Sequence, residues 1–361
     1  MIIEINPLDT LFFRDGKPFT MGEENWSDAI FPPMPSVIYG ALRSVYFSNH
    51  IDELRNANES ADPTKDLELK GVLLKSGNEL LFPAPLDCVK GKDSKYDKLT
   101  LLSLSQIEES DMVSNYPRLE KIPTYKVSDS KVENISNAML GRISFKEYLF
   151  GTKRDFSYIK IDNFIQSEPH IGIGRSSDTH TTEEGKLYRI DMKRLKDTSI
   201  IVDFENLELP ENGLLKLGGE SKSAHFRVYE DKENKPFIEP PNFENEEKLF
   251  KLVLTTPAIF KNGWLPEWID ENSMEGIPNS TNLKLKLISA IIGKPVYIGG
   301  YNIKERKPKP MYKAVPAGSV YYFKLIEGTM EQVKETLNYR TISDIYPNQG
   351  FGICYLGKGE V

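Results

Sequence analysis

Three glycine-rich segments place hydrogen-bond donors where a backbone could approach closely. Ile171-Gly172-Ile173-Gly174-Arg175-Ser176-Ser177 is followed by His180, and Leu217-Gly218-Gly219-Glu220-Ser221-Lys222 sets a cation beside a glycine pair. Ile298-Gly299-Gly300-Tyr301-Asn302 sets a second pair beside an aromatic ring. Their recurrence beside basic and aromatic residues points to a shared ligand surface, with the glycines letting another backbone pass close by. A packing or turn role accounts for each segment singly, and an ordinary glycine-rich hairpin fits 171–185 equally well. The first segment opens like a dinucleotide fingerprint, but the third glycine and the amphipathic helix are missing, so that reading fails.

No centre for bond making stands out. His50, His170, His180 and His225 are the only histidines, and their spacing matches no metal motif. There is no phosphate-binding loop, no Gly-Gly-Asp-Asp pair and no nucleophile elbow. The expectation is therefore no metal and no cofactor. His170 or His180 could act as a general base in metal-free RNA cleavage, although a structural or RNA-contacting histidine is the simpler reading.

Charge is unevenly spread. The chain sums to −7, which alone argues against nucleic acid. Residues 284–313, however, hold Lys284, Lys286, Lys294, Lys304, Arg306, Lys307, Lys309 and Lys313 against Glu305, a local +7 that leaves −14 elsewhere. A basic stripe on an acidic protein can hold a phosphate backbone locally without coating the surface with nucleic acid. Tyr301, Tyr312, Tyr321 and Tyr322 lie near it and could stack on bases.

These residues need a scaffold. At 361 residues the chain exceeds what one core usually holds, so two domains are expected. Hydrophobic residues make up 39% and charged residues 27%, which excludes a disordered chain, and the mean hydropathy of −0.42 implies long polar connections. No apolar run approaches the ~20 residues of a membrane span, and the opening Met1-Ile2-Ile3-Glu4-Ile5-Asn6-Pro7 lacks the regions of a signal peptide. With Cys88 and Cys354 as the only cysteines, no disulfide framework is possible. A soluble, cytoplasmic protein is expected, with no membrane partner.

Strand signals dominate. A short opening strand precedes Pro7. Val37, Ala41 and Val45 mark one face of a helix from Ser36 to about Ser48, begun by Pro35. Gly40 inside it would be explained by a close backbone. Residues 72–82 read as a hairpin turning at Gly77-Asn78, residues 87–137 as an insertion, 144–149 as strand or helix, and 197–204 as a strand. Pro236, Pro240 and Pro241 mark a linker. Beyond it the order is strand, long connection, strand, strand, helix at 330–337, strand. With a helix in the long connection this is βαββαβ. The fold class expected is α+β: two tandem ferredoxin-like domains, 1–240 with the insertion and 241–361, with long loop insertions.

One set of segments resembles a known family. Leu11-Phe12-Phe13-Arg14-Asp15-Gly16-Lys17-Pro18-Phe19, Trp26 and Phe31-Pro32-Pro33-Met34-Pro35-Ser36, then Tyr39-Gly40-Ala41-Leu42-Arg43, are similar to the start of the third subunit of the Cmr complex. That complex is the type III-B CRISPR RNA-guided effector. The likeness continues through Gly172-Ile173-Gly174-Arg175, Leu217-Gly218-Gly219-Glu220, 254–266, Ile298-Gly299-Gly300-Tyr301, Lys307-Pro308-Lys309-Pro310 and 314–322.

The resemblance implies a non-catalytic RAMP protein. Its partners would be the 5′ handle of the guide crRNA, the large polymerase-like subunit and a neighbouring backbone RAMP subunit. The expected RNA contacts are Arg14, Lys17, Ser36, Tyr39 and Arg43, with a phosphate at the amides of the helix near Ser36. Gly172, Gly174, Arg175, Ser176, Ser177, His180, Gly218, Gly219 and Lys222 follow, and Tyr301, Lys307 and Lys309 complete the set. A metal-free endoribonuclease processing guide precursors and a purely structural adaptor are the alternatives.

Overall fold

A computed structural model describes residues 1–14, 26–28, 30–92, 97–106, 119–125, 131–176, 178–179, 181–220, 222–244, 246–278, 281–302 and 307–359. It is built around two antiparallel sheets, an α+β arrangement in which strands far outnumber helices.

In the first sheet the inner strands lie in the order Ser223–Val228, Ile2–Pro7, Thr198–Glu205, Glu68–Ser76, every neighbouring pair antiparallel. In chain order these are fourth, first, third and second. The first connection carries helix α1, Pro35–Asn49, whose ring-locked first residue suits a helix start. Its buried stripe is Ile38, Tyr39, Ala41, Leu42 and Val45, packed on Ile3, Ile5, Val202 and Phe204. Gly40 faces away from this core and no atom stands within 4 Å of where a Cβ would sit. Among the described residues no close backbone stands there, and nothing in them explains that glycine.

The hairpin at Gly77 forms as expected, with Ser76 opposite Glu79 and Gly77 at φ +56°. The insertion is longer than the polar composition of 87–137 indicated. It runs from 77 to 197 and includes helix α2, Arg142–Phe150, which resolves the ambiguity at 144–149. It ends in a long hairpin made of Ile165–Arg175 and Thr182–Leu195, flanked in parallel by Trp26–Asp28.

In the second sheet the inner order is Ile353–Lys358, Leu249–Leu254, Val320–Glu327, Lys284–Ile291, again fourth, first, third and second. Helix α3, Met330–Leu337, occupies its expected place and is closed by a capping box between Thr329 and Gln332. The helix expected in the long connection does not form among the described residues of 255–283, which run as turns, isolated bridges and the short strand Glu275–Gly276. Pro257, Gly263, Pro266, Gly276 and Pro278 interrupt any helical run there.

The sheets are joined by a shared core. Phe82 stacks on Phe145 at 4.5 Å, and Tyr355 of the second sheet meets both rings edge-on at 5.7 and 5.6 Å. At its centre the buried Asp87 Oδ2 accepts hydrogen bonds from the hydroxyls of Tyr148 at 2.7 Å and Tyr322 at 2.6 Å. The buried Lys251 ammonium lies 3.6 Å from the Tyr148 ring centroid. The proline-rich connection is packed rather than loose: Ile238 is buried, and the Tyr355 hydroxyl donates to the Pro236 carbonyl at 2.8 Å. Among the described residues no helix is long and apolar enough to cross a membrane.

Candidate nucleic-acid interface

The site begins where the opening strand leaves the first sheet. Leu11 exchanges both backbone hydrogen bonds with Lys193 of the long hairpin, at 2.8 Å each. Phe12 then packs against Ile190 and Met192 of that hairpin. The Gly218–Gly219 turn lies over the same residues. Gly219 donates to the Phe12 carbonyl at 2.8 Å, and a Cβ on Gly218 (φ +80°) would come within 2.5 Å of that oxygen. Glycine is required at 218 by close approach and by conformation together. Arg14 follows directly and is exposed. The hairpin and the glycine turn enclose a concavity of about 240 Å3 lined by His170, Gly172, Ile190, Glu220 and Lys222 among others. Two glycine segments far apart in sequence thus meet at one place.

Electrostatically this region is largely self-satisfied. Asp9 accepts from Lys222 Nζ at 2.7 Å and from Arg194 Nη2 at 3.1 Å. The Lys222 hydrogen bond is the main reason the Asp9 carboxyl is held down at about 2. Arg194 also pairs with Glu168, and Lys193 Nζ donates to Ser167 Oγ at 2.7 Å. Lys222 is therefore a paired cation rather than a free phosphate ligand. At the hairpin tip Gly174 and Arg175 end the first strand, and Ser176 Oγ accepts from the amides of Asp178 and Thr179 at 3.3 and 3.4 Å. Lys17, Ser177 and His180 lie outside the described residues. His170 is exposed on the first strand of the hairpin, opposite Ile190, and its imidazole has no side-chain hydrogen bond among the described residues.

The helix face assigned to RNA is corrected. Tyr39 is only 7% exposed and belongs to the α1 core, because the buried stripe lies one residue further round than the spacing of Val37, Ala41 and Val45 indicated. Arg43 sits in an internal clamp: Nε donates to Thr64 Oγ1 at 2.6 Å, Nη1 to Asn58 Oδ1 at 3.0 Å and Nη2 to Asp62 Oδ2 at 2.6 Å. Burial alone would raise the Asp62 carboxyl, but hydrogen bonds from Thr64 and Asn58 and the Arg43 charge bring it below its ordinary value. The clamp ties α1 to the turn before Glu68–Ser76 and leaves little of Arg43 for a phosphate. Ser36 is half-buried in the first turn, where no side chain caps the helix.

The basic stretch divides in two. On the second sheet Lys284 pairs with Glu275 at 2.9 Å and Lys286 with Glu120 at 2.6 Å. Beyond them the chain leaves the sheet as a ribbon, Val296–Ile298 against Tyr312–Ala314 and Tyr301–Asn302 against Lys307–Pro308. Lys294, Lys307, Lys309 and Lys313 on this ribbon are exposed. Lys294, Lys309 and Lys313 hold no ion pair among the described residues, while Lys304 and Arg306 lie outside those residues. Tyr301 is 57% exposed. Tyr321 and Tyr322 are core instead: their hydroxyls reach the Trp264 carbonyl at 2.7 Å and Asp87 at 2.6 Å, and Tyr312 packs edge-on against Tyr346 at 5.9 Å. The sequence reading did not single out Tyr297, and it quoted Met34 only as part of the segment before α1. Met34, just before α1, packs on the cluster of Ile259, Ile298, Ala314 and Phe351 at the ribbon base, so the ribbon stands beside the start of α1. The exposed–buried alternation of 296–298 was the available signal for Tyr297.

A comparison with known families decides the identity: residues 3–359 match the model described as CRISPR-associated protein (Cas_Cmr3). The chain belongs to the Cmr3 family. Two solved structures share the family member's fold at 17% identity and a TM-score of 0.51, covering 89% of this chain and 86% of theirs. They are cryo-EM structures of the type III-B Cmr-beta complex bound to cognate target RNA, one of them also with AMPPnP. Among curated proteins none matches this sequence.

Proposed function

We propose that this Cmr3-family chain is an RNA-binding, non-catalytic subunit of a type III-B CRISPR effector. It holds the 5′ handle of the guide crRNA and docks onto the large polymerase-like subunit, with a backbone RAMP subunit as its other neighbour. The observation that carries the reading is a run of packing contacts that sets segments from both halves of the chain side by side. It leads from the long hairpin and the Gly218–Lys222 turn across Phe12–Arg14, past Phe31 and Met34 at the start of α1, to the basic ribbon. An extended single strand suits such an arrangement, since unpaired RNA is held by backbone and base faces rather than in a deep pocket. The shared strand order of the two sheets supports two ferredoxin-like units, 1–240 and 241–361, each keeping one of the usual two helices.

The test is photocrosslinking of the assembled particle with a guide carrying reactive nucleotides in its handle. Adducts on the peptides around Arg14, Arg175 and Gly218 are expected. Adducts confined to other subunits would overturn the reading, and metal-free cleavage of repeat RNA by the purified chain, abolished by His170→Ala, would replace it with the nuclease.

A further inference from the structure

The basic ribbon has a feature that its lysines alone do not require. Tyr297 is 49% and Tyr301 57% exposed, although the strand between Val296 and Ile298 alternates properly and buries Ile298 beneath it. Tyr297 stands directly opposite Lys313 in the antiparallel register, so ring and ammonium share one face. Lys309 crosses beside the glycine pair, its amide bonded to the Gly300 carbonyl at 2.9 Å and its Cδ 3.4 Å from where a Gly300 Cβ would sit. The two rings sit on consecutive short strands, Val296–Ile298 and Tyr301–Asn302, joined by the glycine pair, and four residues of chain keep their Cα atoms at most about 13 Å apart.

We infer that the described ribbon segments, 296–302 and 307–314, are a stacking platform for unpaired RNA, taking bases on Tyr297 and Tyr301 while Lys309 and Lys313 follow the phosphates, with no preference among bases. The inference rests on the RNA-binding reading above. Charge complementarity argues for it, because Glu305 is the only acid in 284–313 and Lys309 and Lys313 hold no ion pair among the described residues. Exposed rings interleaved with such cations are how sequence-tolerant single-strand binders work, each stacked base contributing about 1–3 kcal/mol. An acidic protein surface would engage the lysines and leave the rings incidental.

The test uses the full chain and fluorescent oligouridine and oligoadenosine of about twelve nucleotides, within the usual span of a single-strand site. The parent is expected to bind both with affinities within a few-fold. Tyr297→Ala with Tyr301→Ala should weaken both by ten-fold or more with an unchanged melting temperature, and Tyr297→Phe with Tyr301→Phe should restore binding. Alanine variants that bind like the parent, or that lose only capture of the large subunit, overturn the inference. A parent that binds neither oligonucleotide yet crosslinks to the guide handle in the particle overturns the ribbon platform and leaves the handle reading standing.

Discussion

The long hairpin and the basic ribbon are both two-stranded projections from the second-to-third-strand connection of their sheets, yet they treat charge in opposite ways. On the hairpin side Arg194 and Lys222 converge on Asp9, and Arg194 also holds Glu168. Its cations fasten the arm to the body. On the ribbon Lys294, Lys309 and Lys313 keep no such partners among the described residues, so their field is directed outward. The comparison teaches that a count of basic residues does not locate a polyanion site. Lys284 and Lys286 belong to the same run in sequence as the ribbon lysines, but acids from Glu275 and Glu120 neutralise them.

The sharpest way to break the comparison is through its glycines. Gly218→Val should lose about 3 kcal/mol or more in urea unfolding, since a left-handed backbone and a carbonyl contact both oppose a side chain. Gly300→Ala should change stability by under about 0.5 kcal/mol, because the nearest atom is the flexible Lys309 chain at 3.4 Å. Equal losses at the two positions would mean that both arms are built into the body alike.

Arg43→Ala should destabilise by about 2 kcal/mol through the loss of charged hydrogen bonds to a buried carboxylate, without altering crosslinks to RNA. A change in crosslinking at unchanged stability would return Arg43 to the RNA surface.

Next comes salt dependence. Lys309→Gln with Lys313→Gln should flatten the plot of log affinity against log salt by roughly 1.4 for single-stranded RNA, whereas Lys284→Gln with Lys286→Gln should leave the slope alone. Identical slopes would erase the distinction between outward and neutralised lysines.

The smallest effect is in pH. Burial alone would raise the Glu4 carboxyl, but Lys75, Arg227 and Ser199 hold it below its ordinary value. Its stabilisation is complete above the ordinary carboxylate range and lost as pH falls through the lowered value. Asp203 has the opposite sign: burial pushes it up despite the Tyr339 hydroxyl at 2.8 Å, so its contribution is fullest in acid and declines as pH rises through the raised value. Asp203→Asn should flatten the stability profile above the ordinary carboxylate range, and Glu4→Gln should flatten it below that range.

How much of this was legible depended on whether the deciding contacts were local. The α3 boundaries and the hairpin at Gly77 follow from adjacent residues, and both formed where the pattern placed them. The strand-rich class and the glycine segments at 172 and 218 were equally readable. What the pattern could not show was pairing across the chain. Arg43 reads as a surface cation until Asp62 and Thr64 fold under it, and Tyr322 reads as a stacking ring until Asp87 claims its hydroxyl. The missing helix in 255–283 was written in its prolines and glycines, but the βαββαβ pattern asked for a helix and outweighed them.

The position of Ile2–Pro7 inside the first sheet also bears on how the protein is made. Its two neighbours, Thr198–Glu205 and Ser223–Val228, come from far down the chain, so this strand leaves the ribosome well before either partner. Its hydrogen-bonding edges stay open until residues beyond 198 have been translated, a delay typical of non-local β topology. The first sheet is thereby completed only late in synthesis, and nascent chains stalled before residue 198 should recruit chaperones.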